Sequence, residues 1–321
     1  MLSLQEVEDA AHIVYAAMPP TAQYAWPLLA RRAGCEVWVK HENHTPIGAF
    51  KVRGGLVYMD RLKRTQPGLK GVVSATRGNH GQSIAVGAAK VGIAATIVVP
   101  QGNSVEKNAA MRAFGAELVE AGHDFDAARD VAVRLASERG LAMIPSFHRD
   151  LVRGVATYAL ELFRGAPPLD TVYVPIGLGS GICGVIAMRD ALSPATKVVG
   201  VVSTEAPAYA LSFAAGKVVP TNSADTMADG MAVRGPDAEA LSVILKGADR
   251  IVQVSDGEIA GAMRAYYEDT HQLTEGAGAA PLAALMQERQ RMAGKRVALV
   301  LSGGNIDRPV YLRLLADRGP V

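Results

Sequence analysis

The sequence predicts an α/β protein of two domains, each built on a mostly parallel β-sheet flanked by helices. The first observation behind this prediction is an alternation that begins at residue 71, where short apolar runs take turns with longer stretches of helical apolar spacing. The second is the length of 321 residues, which exceeds what one hydrophobic core usually organises. Such alternation is typical of parallel strands covered by helices on both faces.

The first series of elements occupies residues 71 to 140. Its strands are short runs rich in Val, Ile and Ala, and its helices carry cap residues at their ends, such as Ser104 at a start and Gly92 at an end. The predicted strands are GVVSAT (71–76), IAATIVVP (93–100) and AELVEAG (116–122), and the predicted helices are HGQSIAVGAAKVG (80–92), SVEKNAAMRAFG (104–115) and DFDAARDVAVRLASERG (124–140).

A second series follows, and an isolated strand precedes both. Its members are the helix GVATYALELF (154–163), the strand TVYVPIG (171–177), the helix GICGVIAMRDAL (181–192), and the strands KVVGVVS (197–203) and RVALVLSGG (296–304), with CEVWVKHE (35–42) as the early strand. We expect residues 1–45 and 151–321 to form a large domain that binds a cofactor, and residues 46–150 to form a small domain.

Composition excludes several classes of protein. Hydrophobic residues make up 49% of the chain and charged residues 20%, with a net charge of +2, so there is no electrostatic basis for binding nucleic acid or a membrane surface. The two cysteines, Cys35 and Cys183, lack the spacing of a disulfide framework or a zinc site. The N-terminus does not resemble a signal peptide and no apolar stretch predicts a membrane helix, so we expect a cytoplasmic protein.

Ligands of open α/β sheets bind at the carboxyl ends of strands, and one loop there is rich in glycine. It is PIGLGSGICG, which contains Gly177, Gly179, Gly181 and Gly184 between a strand and a helix. Backbone N–H groups at such a helix start can hold a phosphate, although a tight turn with packing glycines would look the same. A dinucleotide site would place its glycines in the first strand–helix unit, which weakens a nicotinamide interpretation.

Two further loops carry polar or reactive groups. SATRGNHGQ (74–82) has hydroxyl, amide and free N–H groups that suit a carboxylate, but a capped helix with a polar turn is an alternative. HTPIGAFKVRGG (44–55) contains Lys51, which is either a solvated lysine or an amine whose pKa is lowered by desolvation beside Phe50 and by the nearby cation Arg53.

Together these loops and the C-terminal SGGNID resemble the fold-type II pyridoxal-phosphate enzymes of the serine/threonine dehydratase, or ammonia-lyase, family, to which serine racemase is related. The resemblance runs in family order from WVKHE near residue 38 to SGGNID near residue 307. It implies a tryptophan synthase β-like fold and pyridoxal 5′-phosphate as the cofactor.

The resemblance also implies roles for individual residues. Lys51, in GAFKVRGG, would form the Schiff base with the cofactor and move the substrate's Cα proton. Two implied sets of residues follow from the same motifs. The cofactor would contact Phe50, Lys51, Asn79, Gly177, Leu178, Gly179, Ser180, Gly181, Glu275 and Ser302, and the substrate carboxylate region would contain Thr76, Arg77, Gly78, Asn79 and His80; no metal ligand is expected.

This sequence departs from the family pattern at three positions. Ala49 stands where the family has a serine before the phenylalanine. Arg77 stands where serine racemase has a serine that handles a proton, and a side chain that stays cationic is a poor base, so racemisation is disfavoured. Leu211 replaces the second acid that would follow Glu205 in the racemase metal loop, so we expect no divalent-ion site of that kind.

The implied reaction is β-elimination of a β-hydroxy L-amino acid, threonine or serine by default, to a 2-oxo acid and ammonia. Arg77 and the stretch IPSFHRD (144–150) indicate a remodelled pocket, so a larger or charged substrate such as phenylserine or 3-hydroxyaspartate is an alternative. A nicotinamide-dependent dehydrogenase and a non-catalytic ligand-binding protein are alternatives of other classes. Family members are often dimers, and a homodimer is expected by that analogy.

Overall fold

The structure, a computed structural model, describes residues 2–316. Its helices are α1 Leu4–Tyr15, α2 Pro27–Ala33, α3 Lys51–Thr65, α4 Asn79–Lys90, α5 Val105–Ala113, α6 Phe125–Arg139, α7 Arg149–Gly165, α8 Ser180–Leu192, α9 Ala208–Ala215, α10 Ala238–Gly247, α11 Asp256–Thr270, α12 Gly276–Gln287, α13 Arg289–Met292 and α14 Arg308–Ala316. Its strands are β1 Gln23–Ala25, β2 Glu36–His41, β3 Val72–Ala75, β4 Ala95–Val99, β5 Glu117–Glu120, β6 Ala142–Met143, β7 Thr171–Pro175, β8 Lys197–Ser203, β9 Arg250–Val254 and β10 Arg296–Leu301.

The strands form two sheets. The larger has six strands in the order β1-β2-β10-β7-β8-β9, and the smaller has four in the order β5-β4-β3-β6. Every pairing is parallel except that of the edge strand β1 with β2. The central strands are buried on both faces, because helices cover each sheet on two sides. The α/β fold class with two mostly parallel sheets is therefore confirmed.

The division of the chain between the sheets supports a proposal about domains. The four-stranded sheet takes its strands from residues 72–143, and the six-stranded sheet takes its strands from residues 23–41 and 171–301. We propose that residues 46–150 form the small domain and that residues 1–45 and 151–321 form the large one.

The sequence prediction is wrong about two local features. Lys51 does not lie in a loop but is the first residue of α3, with Phe50 at the N-cap position. Helix α7 begins at Arg149, earlier than predicted, because the His148 side chain caps it by accepting a hydrogen bond from the backbone N–H of Asp150. The strands β1 and β6 were not predicted because they have only three and two residues, and β9 was not predicted although three of its five residues are apolar.

Two glycines set the position of α3. A Cβ added to Gly55 would lie 2.4 Å from the carbonyl oxygen of Ser83 in α4, and one added to Gly154 in α7 would lie 2.1 Å from the carbonyl oxygen of Arg53. Neither distance leaves room for a side chain, so α3 contacts both neighbouring helices backbone to backbone. Helix α3 is thus fixed between α4 and α7, with Lys51 at its start.

In the described range, no helix is long and apolar enough to cross a membrane. Nor do those residues include a group of three or more His, Cys, Asp and Glu side chains arranged to hold a metal ion. Cys35 and Cys183 are buried free thiols, and burial raises the pKa of Cys183 to about 12, which suits a packing residue rather than a nucleophile.

Candidate active site

The N-termini of α3 and α8 meet at the carboxyl ends of the large sheet. The Lys51 amine donates a hydrogen bond to the Ser180 hydroxyl at 3.3 Å, and Ser180 is the first residue of α8. On the other side, the backbone N–H of Phe50 donates to the carbonyl of Ser302 at 3.0 Å, just after β10. Residues far apart in the chain are therefore brought to one lysine.

The surroundings of the Lys51 amine favour its neutral form. The side chain keeps some surface open to the cleft, but protein atoms crowd the amine, which lies 5.0 Å from the centre of the Phe50 ring. Desolvation lowers the pKa of Lys51 to about 8, and the nearby carboxylate of Glu275 opposes that change. A substantial fraction of the amine is consequently neutral near pH 8.

The expectation that Arg53 would lower the pKa of Lys51 is wrong. Arg53 is completely buried and points away from the amine, where it pairs with Glu42 at 2.7 Å and with Glu161 at 2.6 Å. Lys40 also pairs with Glu161, at 2.6 Å, so two cations and two carboxylates balance each other. We call Lys40, Glu42, Arg53 and Glu161 the Arg53 cluster.

The glycine-rich loop has the features of an anion cradle. A Cβ on Gly177 would lie 2.3 Å from the carbonyl oxygen of Gly230, and Gly179 has a φ of 101°, which favours glycine. Leu178 and Ser180 are not among the residues with positive φ, so the two side chains cause no strain. The loop ends at the N-terminus of α8, where free N–H groups and the helix dipole attract a negative charge.

The loop after β3 is organised by Thr76, whose buried hydroxyl accepts hydrogen bonds from the backbone N–H groups of Gly78 and Gly81 at 2.9 and 3.3 Å. His80 in the first turn of α4 bonds to the backbone of Pro145. Its Nε2 atom is buried and has no hydrogen-bond partner within residues 2–316. Desolvation, assisted by the neighbouring Lys51, lowers the pKa of His80 to about 3, so the ring is neutral at physiological pH.

Asn79 and Glu275 lie in direct contact across the cleft. The Asn79 amide donates to Glu275 Oε1 at 2.7 Å and accepts from Asn305 at 2.8 Å. Lys107, from α5, extends to the other carboxylate oxygen of Glu275 at 3.8 Å and to Asp229 at 3.3 Å. Burial raises the pKa of Glu275, and Lys107 and the Asn79 amide oppose that rise.

Arg77 lies at the mouth of the cleft. Its side chain is half exposed and pairs with Asp229 at 3.3 Å. It therefore shares Asp229 with Lys107. We call Arg77, Lys107, Asp229 and Glu275 the Lys107 cluster.

Sequence reasoning missed Lys107 and Asn305. Lys107 follows Glu106 in a helix that has several exposed residues, so it looks like one of the solvated lysines of such helices. A structural clue to its burial is Gly78, where an added Cβ would lie 2.4 Å from Cδ of Lys107.

In the IPSFHRD stretch, His148 caps α7 and its ring packs edge-on against Tyr58, 5.0 Å away.

Comparison with known proteins identifies the family. Residues 16–303 match the family described as pyridoxal-phosphate dependent enzyme. The chain belongs to this family. The nicotinamide-dependent and non-catalytic alternatives are left without support.

Individual members of the pyridoxal-phosphate family resemble the chain over most of its length. It is 36% identical to an L-threonine ammonia-lyase of Geobacter sulfurreducens, over 91% of this chain and 72% of that protein. It is 30% identical to an L-threo-3-hydroxyaspartate ammonia-lyase of Saccharomyces cerevisiae, over 98% of this chain and 96% of that protein. The solved structure of maize serine racemase, 27% identical, superimposes with a TM-score of 0.91 and covers 98% of this chain and 97% of that one.

The residues present fit pyridoxal 5′-phosphate, the cofactor of the family. A desolvated lysine amine suits its aldehyde, and the loop at the start of α8, closed to side chains at Gly177, suits its phosphate. The unpartnered Nε2 atom of His80 supplies a further buried polar group close to the same lysine. Three independent observations therefore indicate that the residues of this site match the chemistry of the cofactor.

Proposed function

We propose that the protein catalyses the β-elimination of a β-hydroxy L-amino acid to a 2-oxo acid and ammonia, with threonine or serine as the substrate. The observation that carries the proposal is the Lys51 amine, which is desolvated to a pKa of about 8 and hydrogen-bonded to Ser180, where the glycine-rich loop meets α8. Relatives named as ammonia-lyases for threonine and for threo-3-hydroxyaspartate support this reaction class.

Named residues would hold the cofactor. Lys51 would bind its aldehyde carbon, and the backbone N–H groups of residues 177–181 would bind its phosphate. Ser302 would face its ring nitrogen, and Asn79 its ring hydroxyl, while Phe50 and Glu275 would lie beside it. When bound, the cofactor supplies an electron-withdrawing ring that stabilises the negative charge left on Cα.

The chain's own groups would move the proton and bind the substrate. The neutral amine of Lys51 would take the proton from Cα, and its pKa of about 8 makes that form available near neutral pH. The N–H groups of Asn79 and His80, at the start of α4, would bind the substrate carboxylate together with the Thr76 hydroxyl, which can donate to it while accepting from the N–H of Gly78.

Crowding of the amine limits the access of water to this proton transfer. Lys51 lies against the Phe50 ring and close enough to His80 to affect its pKa, so the base and the carboxylate site belong to one partly closed cleft. Arg77 carries a permanent positive charge and supplies no base on the opposite side. Elimination is therefore favoured over racemisation.

A charged substrate remains a second candidate because of Arg77. Its guanidinium is half exposed and bound to a single described carboxylate, Asp229, at 3.3 Å. A second carboxylate on the substrate, as in 3-hydroxyaspartate, would compete with Asp229 for Arg77. Phenylserine is the uncharged larger alternative.

Two statements about the protein in the cell belong to the same proposal. We infer a homodimer by analogy with family members, and a cytoplasmic location from the composition. Size measurement in solution and fractionation of the source cell test these statements independently of the reaction.

Replacement of Lys51 tests the function. We expect Lys51→Ala to abolish both turnover and the cofactor's absorption band, because the amine that binds the cofactor and removes the proton is lost. Lys217→Met, at an exposed lysine, is the matched control and should retain both. Release of 2-oxo acid from threonine, serine, phenylserine and 3-hydroxyaspartate then identifies the substrate, and a Lys51→Ala protein that kept activity and absorption would refute the proposal.

A further inference from the structure

Lys107 occupies a position that a lysine rarely takes. It comes from α5 of the proposed small domain, is nearly fully buried, and points across the cleft to two carboxylates of the large domain. Burial alone would lower the pKa of Lys107, but Glu275 and Asp229 together raise it, so the amine stays charged. The loop accommodates its stem only because residue 78 is glycine.

Lys107 is the cation that favours the charged form of Glu275. Among the described residues, Lys107 is the one cationic side chain in ion-pair contact with Glu275, at 3.8 Å. Burial and the neighbouring Asp229 both favour the protonated carboxyl, whereas the cation and the Asn79 amide favour the carboxylate. Asp229 has a second cation in Arg77 and is partly open to water, so it needs Lys107 less than Glu275 does.

Glu275 lies close to the start of α3, because its backbone N–H donates to the carbonyl of Gly303 at 3.1 Å and Gly303 pairs with Ala49, two residues before Lys51. Its carboxylate is also the charge that opposes the lowering of the Lys51 pKa by desolvation. The two lysines are thus connected through one buried acid. Other titratable or charged groups around the three residues are Arg77, His80, Asp229 and Asp307.

We propose that Lys107 is a positioning residue that keeps Glu275 ionised and thereby controls how readily the Lys51 amine gives up its proton. The proposal uses the function proposed above only in taking Lys51 as the reactive amine. It makes Lys107 act through Glu275 rather than by direct repulsion of the Lys51 ammonium.

For Lys107→Met, the two routes predict opposite shifts in the pH at which the Lys51 amine becomes neutral. If Lys107 acts through Glu275, its removal lets burial protonate the carboxyl, Lys51 loses a stabilising negative charge, and its amine becomes neutral at lower pH. If Lys107 acts directly, the removal of a nearby cation makes the Lys51 amine neutral at higher pH. Only the direction of this pH shift needs to be measured.

The first measurement follows the capture of free pyridoxal 5′-phosphate by the full-length chain after the cofactor has been removed with hydroxylamine. Its rate rises with pH as Lys51 becomes neutral, and it requires no turnover. We expect the midpoint to fall by about one pH unit in Lys107→Met. Lys107→Arg retains the charge and should keep the wild-type midpoint, as should Lys217→Met. An unchanged or higher midpoint in Lys107→Met overturns the proposal.

The second measurement observes the carboxyl itself in the holoenzyme. Infrared spectra of Lys107→Met at neutral pH should contain a protonated-carboxyl C=O stretch that is weak in the wild type and is lost in the Lys107→Met/Glu275→Gln double variant. If that band is absent, or survives the second substitution, Lys107 does not control the charge of Glu275.

Glu275→Gln provides a test that does not depend on the folding of the Lys107 variant. It should lower the midpoint of cofactor capture by itself, and adding Lys107→Met should then change the midpoint little. A wild-type midpoint in Glu275→Gln would overturn the proposal. A failure of the proposed reaction would instead appear as absent 2-oxo acid formation with normal capture, so the two failures are distinguishable.

Discussion

The Arg53 cluster and the Lys107 cluster both contain two cations and two carboxylates, and both join the two proposed domains, but they are built differently. The ion pairs of the Arg53 cluster measure 2.6 to 2.7 Å and lie away from water. Those of the Lys107 cluster measure 3.3 to 3.8 Å, and two of its members, Arg77 and Asp229, are partly exposed. We infer that the first holds α3 in place, whereas the second can exchange partners when a ligand binds.

The largest effect on stability should come from breaking the Arg53 cluster. Arg53→Met leaves the two buried carboxylates of the cluster with Lys40 as the one cation of the cluster, and we expect the free energy of unfolding to fall by about 3–5 kcal/mol. Urea denaturation measures it. Arg77→Met removes the same charge from the Lys107 cluster and should lower the free energy of unfolding by less than about 1 kcal/mol. Equal losses from the two substitutions would contradict the distinction between the clusters.

A smaller effect on stability should follow from forcing apart the helices beside the Arg53 cluster. In Gly154→Ala the new Cβ would lie 2.1 Å from the Arg53 carbonyl oxygen, so α7 must shift, and we expect a loss of about 1–3 kcal/mol in the free energy of unfolding. Gly257→Ala in α11 is the matched control, because its nearest contact is 4.0 Å away. It should leave the free energy of unfolding the same or slightly higher, and a neutral Gly154→Ala would show that α3 is held less closely than described.

The smallest effect on stability should come from neutralising Glu275, the buried acid of the Lys107 cluster. The pKa of Glu275 is raised in the folded chain, so its contribution to stability is present below pH 4.5 and is lost as the pH rises through the folded-state value. Glu275→Gln should therefore equal the wild type, or exceed it by up to about 1 kcal/mol, at pH 8. A pH series of unfolding curves checks this, and a clear loss at pH 8 would mean that the carboxylate stabilises the fold.

Much of the fold could be predicted because its strands are short apolar runs between helices with clear caps, as at Ser104, whose hydroxyl accepts from the backbone N–H of Lys107. The candidate residues Lys51, Ser180 and Ser302 lie in contiguous motifs, so local sequence was sufficient to propose them. Each motif consists of neighbouring residues, although the three motifs lie far apart in the chain and meet only in the fold.

The rest depends on contacts that sequence does not display. Arg53 was misplaced because Lys51 opens a helix, and residues two apart on a helix do not face each other. Lys107 was missed because Asp229, its partner, lies 122 positions along the chain. Whether a lysine is solvated or buried depends on such distant partners, and no local pattern contains them.

The contact of α3 with its neighbours through Gly55 and Gly154 has a consequence for how new substrate ranges can arise. With no layer of side chains there to absorb substitutions, changes in the flanking helices would displace the reactive amine and remove function altogether. The loops at residues 76–80 and 145–148 carry no such constraint at Arg77 or Phe147. Laboratory evolution towards new amino acids should therefore accumulate substitutions in these loops while the two glycines stay unchanged.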